Sequence, residues 1–219
     1  RLVWSSGTPV QASNYLGRFN FTYQAPAEAP AQTYPHGYGF GSALIPANGN
    51  VTVSGVLADG SAFSTASFVG PQGQLAVFRT LYTNTGSILG THQINAGTGT
   101  VTDYSLPTAF NWLKKDQAPK VVYSYGSGFG PVILTVAGSR YDPTLIPSTT
   151  NVLGSDISTA DSKLDFDDAG LGAAATNPDV TFTLNGANTA AFTTNNGRVK
   201  ITVVKSTGRF SGTYSITDD

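Results

Sequence analysis

The chain has 219 residues, with 12 Lys and Arg against 13 Asp and Glu, a net charge of −1 and only 11% charged residues, where soluble proteins average about 25%. No basic patch is evident, since Lys115, Lys120, Arg140 and Lys200 are scattered, so nucleic acid is not expected as a partner. No apolar run reaches the roughly 18 residues of a membrane-spanning helix, and the absence of Cys excludes disulfides and thiolate metal sites.

A single Glu, Glu28, beside 25 Gly, 12 Pro and abundant Thr, Ser and Asn points away from helix and toward strand. Residues 1–14 are read as an N-terminal extension. Tyr15, Gly17, Phe19, Phe21 and Tyr23 then alternate, placing four aromatics on one face of a strand. A loop rich in Ala and Pro fills 25–35. Next, Tyr38, Phe40, Ser42 and Leu44 alternate with Gly37, Gly39, Gly41 and Ala43, a small-residue face that a ring or backbone can approach closely. Asn48-Gly49 is a strong hairpin signal, because a type I′ turn needs positive φ at both central residues. Strands follow at 51–57, 62–69, 75–82 and 87–94, punctuated by Asp59-Gly60, Gly70-Pro71-Gln72-Gly73 and Asn84-Thr85-Gly86.

Six strands at this spacing predict an antiparallel up-and-down meander, which hides its edges by closing into a barrel or a barrel-like sandwich. Downstream, 97–104 is a polar connection and 110–113 is a short strand around Trp112. Residues 123–130 form a Gly- and aromatic-rich loop. The apolar run 131–137 predicts a strand buried on both faces. We take 15–141 as the barrel and 142–161 as a loop or linker. Residues 162–219 add strands (162–166, 180–184, 199–204, 210–216) that complete the same β-domain. Little or no helix is expected; 169–175 is the best helix candidate and is interrupted by Gly170 and Gly172.

Residues 17–23, Gly-Arg-Phe-Asn-Phe-Thr-Tyr, nearly repeat as 208–214, Gly-Arg-Phe-Ser-Gly-Thr-Tyr. The second copy falls at the end of the sequence, so we expect a module of a longer β-rich polypeptide or a subunit that shares a strand with a neighbour. The absence of Met, with Arg at position 1, leads us to expect upstream processing.

The strings Gly37-Tyr38-Gly39-Phe40-Gly41, Asn48-Gly49-Asn50-Val51, Gly55-Val56-Leu57-Ala58-Asp59-Gly60-Ser61, Leu81-Tyr82 and Gly86-Ser87-Ile88-Leu89-Gly90 occur in order. They are followed by Phe110-Asn111-Trp112-Leu113-Lys114, Val136-Ala137-Gly138-Ser139-Arg140-Tyr141 and Ser206-Thr207-Gly208-Arg209-Phe210-Ser211-Gly212. Together they resemble a β-rich repeat module of large secreted or surface proteins of verrucomicrobial and related environmental bacteria. The resemblance spans roughly 15–214 and implies a secreted, barrel-like, often repeated module with no catalytic residues to carry over.

Chemistry-bearing clusters are few. His36 and His92 lack the converging partners of a metal site and read as surface or edge histidines. Asp165, Asp167 and Asp168, with Asp156 and Asp161 upstream, loosely resemble a Ca²⁺ loop; a solvated turn is the preferred alternative. One Glu and turn-bound Asp residues such as Asp59 and Asp103 argue against a carboxylate pair. Gly126-Ser127-Gly128 is not a nucleophile elbow, and no Walker or Rossmann pattern is present. We therefore expect neither enzyme activity nor a cofactor. The row Tyr15, Phe19, Phe21, Tyr23 reads as barrel core in preference to a sugar platform. Asn20-Phe21-Thr22 and Asn50-Val51-Thr52 match the glycan-acceptor pattern, as chance alone produces in such a composition.

The sequence thus suggests an extracellular structural protein, a subunit or module of a bacterial surface fibre. Its partners would be copies of itself or neighbouring modules, joined through strands that include Leu2, Val3 and Trp4 or Phe210, Tyr214 and Ile216. The alternative is a carbohydrate-binding or adhesin module using Tyr34, Tyr38 and Tyr125.

Overall fold

The structure, a computed structural model, describes residues 15–27, 33–95, 109–117, 125–153, 162–164, 180–193, 195 and 198–215. The chain divides into two compact units, Arg1–Tyr141 and Asp142–Asp219. The described residues contain strands and short 3-10 turns, and no described helix is long and apolar enough to cross a membrane.

The first unit is an antiparallel eight-stranded meander: β1 (Gly17–Gln24), β2 (Tyr38–Ile45), β3 (Asn50–Val56), β4 (Ala62–Phe68), β5 (Gln74–Leu81), β6 (Gly86–Gln93), β7 (Ala109–Lys114) and β8 (Phe129–Tyr141). Each strand pairs with the next except β4 with β5, and β1 pairs with β8. The long β8 makes that junction. Its first half lies along β7, with Ala109 opposite Thr135, and its second half along β1, from Gln24 opposite Thr135 to Arg18 opposite Tyr141. The two sheet ends, β4 and β5, meet through a Val69–Leu75 bridge and a 2.5 Å hydrogen bond from Ser67 Oγ to the Ala76 carbonyl. The sheet is thereby nearly closed into a barrel.

Strand parity directs the apolar residues inward. Phe19, Phe21 and Tyr23 of β1 are buried, while Arg18, Asn20, Thr22 and Gln24 alternate with them. The same alternation corrects the expectation for β8: Val132, Leu134 and Val136 are buried, but Ile133, Thr135 and Ala137 are exposed. A barrel interior covers only one face of each strand, and the outward residues of β8 alternate with the buried ones.

The interior is filled by rings set opposite glycines. Gly39 faces Tyr23, Gly41 faces Phe21, Gly55 faces Phe63 and Gly90 faces Phe110, each across one ladder. A Cβ at Gly55 would lie 2.8 Å from Phe63, and one at Gly90 2.5 Å from Phe110, both closer than carbon atoms approach. Pairing large with small is how a narrow barrel reaches interior packing density, and it explains the small-residue face read from β2. Trp112, Phe110, Phe19 and Tyr23 are among the largest fully buried side chains, so the interior is a core.

The described strands of 162–219 pair among themselves and not in the eight-stranded sheet. Those residues lie in the second unit. There β9 (Ser162–Leu164), β10 (Val180–Leu184) and β11 (Ala190–Phe192) form one antiparallel sheet, and β12 (Lys200–Val204) and β13 (Arg209–Thr213) form a hairpin. Val180, Phe182 and Leu184 are buried. Part of the expected linker is held in place: the buried Asn151 donates from Nδ2 to the Leu184 carbonyl (3.0 Å), and the Val152 amide donates to Asn188 Oδ1 (3.0 Å). The helix candidate 169–175 lies outside the described residues.

Candidate functional site

One end of the barrel gathers the β1–β2, β3–β4, β5–β6 and β7–β8 connections. The β5–β6 connection carries Tyr82, which opens a turn in which Tyr82, Thr83 and Asn84 all have positive φ (52°, 54° and 70°). Such backbone costs free energy at non-glycine residues and persists when the surroundings fix it. Here the Tyr82 hydroxyl donates to Asp59 Oδ2 at 2.6 Å and accepts from Trp112 Nε1 at 2.9 Å. The Lys114 ammonium sits 4.9 Å from the centre of the Tyr82 ring, a cation–π distance. Asp59 is itself fixed by the Ser61 amide and hydroxyl, both at 2.9 Å. Gln117 Nε2 donates to Thr85 Oγ1 at 2.6 Å. Burial first, and then the hydrogen bond to Asp59, push the Tyr82 phenol well above its ordinary pKa. A phenol held protonated is a donor and a clamp; it is not poised as a base or nucleophile.

Beside this clamp lies an open groove of about 710 Å³. Tyr34 and Tyr125 line it with Pro26, Pro131 and Ile133, together with the hydroxyl residues Thr33 and Ser127. The Tyr34 ring is fixed twice: its hydroxyl donates to the Pro26 carbonyl (2.9 Å), and it stacks on His36 at 4.9 Å between centroids and 17° between planes. Tyr125, with φ of 63°, sets its edge against Phe129 (6.0 Å, 87°), which in turn packs on Trp112 (4.6 Å, 77°). Among the described residues that line it, none is charged. Of the three tyrosines singled out from the sequence, the fold brings Tyr34 and Tyr125 together. Tyr38 opens β2, is 64% exposed and does not line the groove.

The second surface is the β12–β13 hairpin. Lys200, Thr202 and Val204 share one face with Thr213, Ser211 and Arg209; Ile201 and Val203 share the other with Gly212 and Phe210. Every residue of β13 is exposed, Phe210 to 69%, and Tyr214 beyond it is exposed as well. On its outer side β12 is touched by a Thr189–Thr202 bridge. Among the described residues β13 pairs with β12 alone.

Leu2, Val3, Trp4 and Ile216, named for strand exchange, and Asp165, Asp167 and Asp168, named for Ca²⁺, lie outside the described residues. Among the described residues no three His, Asp or Glu side chains converge on a metal position. His92 corrects its expectation as a surface or edge residue. It is fully buried inside the barrel, 3.1 Å from the Tyr23 hydroxyl through Nε2 and packed on Phe21 (4.4 Å) and Phe110 (4.7 Å). Its parity with Ile88 and Gly90 on β6 is the signal that would have placed it there. The Tyr82 clamp was also missed. Asp59-Gly60 was legible as a turn, but nothing local links it to Tyr82, 23 positions away. Comparison of the chain with protein-family models, with curated proteins and with solved structures returns no match.

Proposed function

We propose that this chain is an extracellular structural module, a building block of a bacterial surface fibre or appendage joined to its neighbours through β-strand contacts. The observation that supports it is β13. An exposed strand with one ladder partner among the described residues presents a row of backbone donors and acceptors that another strand can satisfy. The ring-filled barrel interior favours a scaffold over a container for ligand. Low charge, the lack of Cys and Met, and the resemblance to secreted repeat modules support the location. Size-exclusion chromatography with light scattering and negative-stain microscopy test the proposal. The full chain should form extended assemblies, and both a chain lacking 198–219 and Phe210→Asp, at an exposed position the fold tolerates, should remain monomeric. Assembly unaffected by both changes would remove it.

A second reading, a carbohydrate-binding module, is favoured by one observation: two held tyrosine rings in a groove whose described lining carries hydroxyls and no charge. Fixed rings lower the ordering cost of binding, and a neutral polyhydroxyl ligand suits a lining of rings and hydroxyls. Calorimetric titration with neutral polysaccharides should give heat that Tyr34→Ala and Tyr125→Ala abolish and Tyr38→Ala leaves intact. Binding indifferent to Tyr34 and Tyr125 would count against this second reading.

A further inference from the structure

The wall of the barrel has a seam between β4 and β5, the two ends of its sheet. The strands start together at the Val69–Leu75 bridge and then part. A ladder continued from that bridge would set Ser67 opposite Val77 and Thr65 opposite Arg79, and neither pair forms. The Ala76 carbonyl, which faces the seam, accepts from the Ser67 hydroxyl where a ladder would supply a backbone amide. At the far end the Tyr82–Asp59 hydrogen bond ties the turn after β5 to the turn before β4 through side chains. The seam is thus pinned at both ends, and between the pins β4 has β3 as its one ladder partner among the described residues.

The residues along the seam break the pattern of the interior. Thr65, Ser67 and Arg79 occupy inward register positions, opposite the buried Val53, Val51 and Ile88. Thr65 and Ser67 are only half-buried and Arg79 is exposed, so solvent reaches an inward position here. An inward charge on an edge strand deters pairing with strands that would lay aliphatic side chains over it. A guanidinium is instead attracted to the face of an aromatic ring. The charge therefore discriminates among strands, and one that brings a ring to that position is favoured.

The chain itself presents such a strand. In β13 Phe210 is 69% exposed, and β12 is the one ladder partner among the described residues. Segment 208–214 repeats five of the seven residues of 17–23, and there β1 is already flanked on both sides, by β2 and β8. A strand docked with the parity of β1 would turn Phe210 and Gly212 toward the barrel. Arg209, Ser211 and Thr213 would face outward, which keeps Arg209 away from Arg79.

We propose that the free edge of β4 is the acceptor for β13 of a second copy of this chain, with the Phe210 ring set against the Arg79 guanidinium. This rests on the proposed structural role and supplies the half of the contact that role leaves unassigned. Donor and acceptor are different surfaces, so the contact is heterologous, and such contacts propagate into filaments unless they close into a ring. Pinning at both ends keeps the acceptor edge extended before the partner arrives, which lowers the ordering cost of docking.

Amide hydrogen exchange of the full chain, dilute and concentrated, tests this, with sedimentation velocity on the same samples. Concentration should produce assemblies in which the amides of 62–66 and 209–213 exchange at least about tenfold more slowly, while those of β1 and β8 change little. Arg79→Glu, at an exposed position the fold tolerates, should weaken assembly at least about tenfold and leave exchange in the dilute chain unaltered. Assembly that protects 209–213 and not 62–66 overturns this inference while leaving the strand-contact proposal standing. Assembly indifferent to Arg79→Glu overturns it in the same way, as does protection of both strands that is independent of concentration. A chain monomeric at every concentration overturns the inference and the proposal together, and leaves Arg79 as the guard of an open edge.

Discussion

His92 is a base enclosed by rings: Tyr23, Phe21 and Phe110 surround it, and burial lowers its pKa from 6.5 to about 3. The folded state therefore resists protonation that the unfolded state accepts. Above the unfolded value neither state binds the proton, and stability does not depend on this group. As pH falls below about 6.5 the unfolded chain gains a proton that the barrel refuses, and stability drops by about 1.4 kcal/mol per pH unit until the folded pKa near 3 is reached. Urea titrations between those limits should show that slope, and His92→Gln should flatten it. An unchanged slope in the variant would assign the acid sensitivity to other groups. The identity of His92 was plain in the sequence, but its burial followed only from the parity of β6. Histidine is intermediate in burial, so its type alone does not place it inside or outside a barrel.

Strand propensity is local, but the partner a strand finds is not, and the repeated Gly-Arg-Phe segment shows the difference. Both copies are strands, as their alternation predicts: β1 and β13. In β1, Phe19 is fully buried and Tyr23 packs on Phe63 and Phe110, because β2 and β8 flank the strand and the barrel closes over one face. In the second copy Phe210 of β13 and Tyr214 just beyond it are exposed, and the strand has one ladder partner among the described residues. The glycine that opens each copy also changes role. Gly17 begins a strand, whereas Gly208, with φ of 66°, completes the turn whose amide donates to the Val204 carbonyl at 2.9 Å. Near-identical sequence should therefore give unlike mutational costs. Phe19→Ala should destabilise by about 3–5 kcal/mol through the cavity it leaves, and Phe210→Ala should stay within about 0.5 kcal/mol. Thermal denaturation of the two variants measures both; equal losses would mean that the second copy is covered in the folded protein.

At the scale of the molecule, the meander was legible because its information is short-range. Asn48-Gly49, Asp59-Gly60 and Gly70-Pro71-Gln72-Gly73 each join strands that pair or meet directly, so turn chemistry and alternation sufficed. Closure was not legible in detail, because it rests on β1 and β8. The Thr22 hydroxyl donates to the Ala137 carbonyl across 115 positions, and no local pattern records such a pairing. A strand signal names an element and leaves its neighbours open, so the sequence did not say which strands the segments of 162–219 would pair with. Once β8 is paired to both β7 and β1, all eight strands come from within 17–141 and no ladder position of β1 is left for a later strand. A fragment of residues 1–141 should therefore fold by itself, since the buried rings, the glycines opposite them and the Tyr82 clamp all lie inside it. It should unfold in a single cooperative transition, give dispersed amide resonances and retain the acid slope of His92. A collapsed fragment lacking that slope would show that the barrel needs 142–219 to hold its shape, and β1–β8 pairing would then be a consequence of the second unit and not the cause of closure.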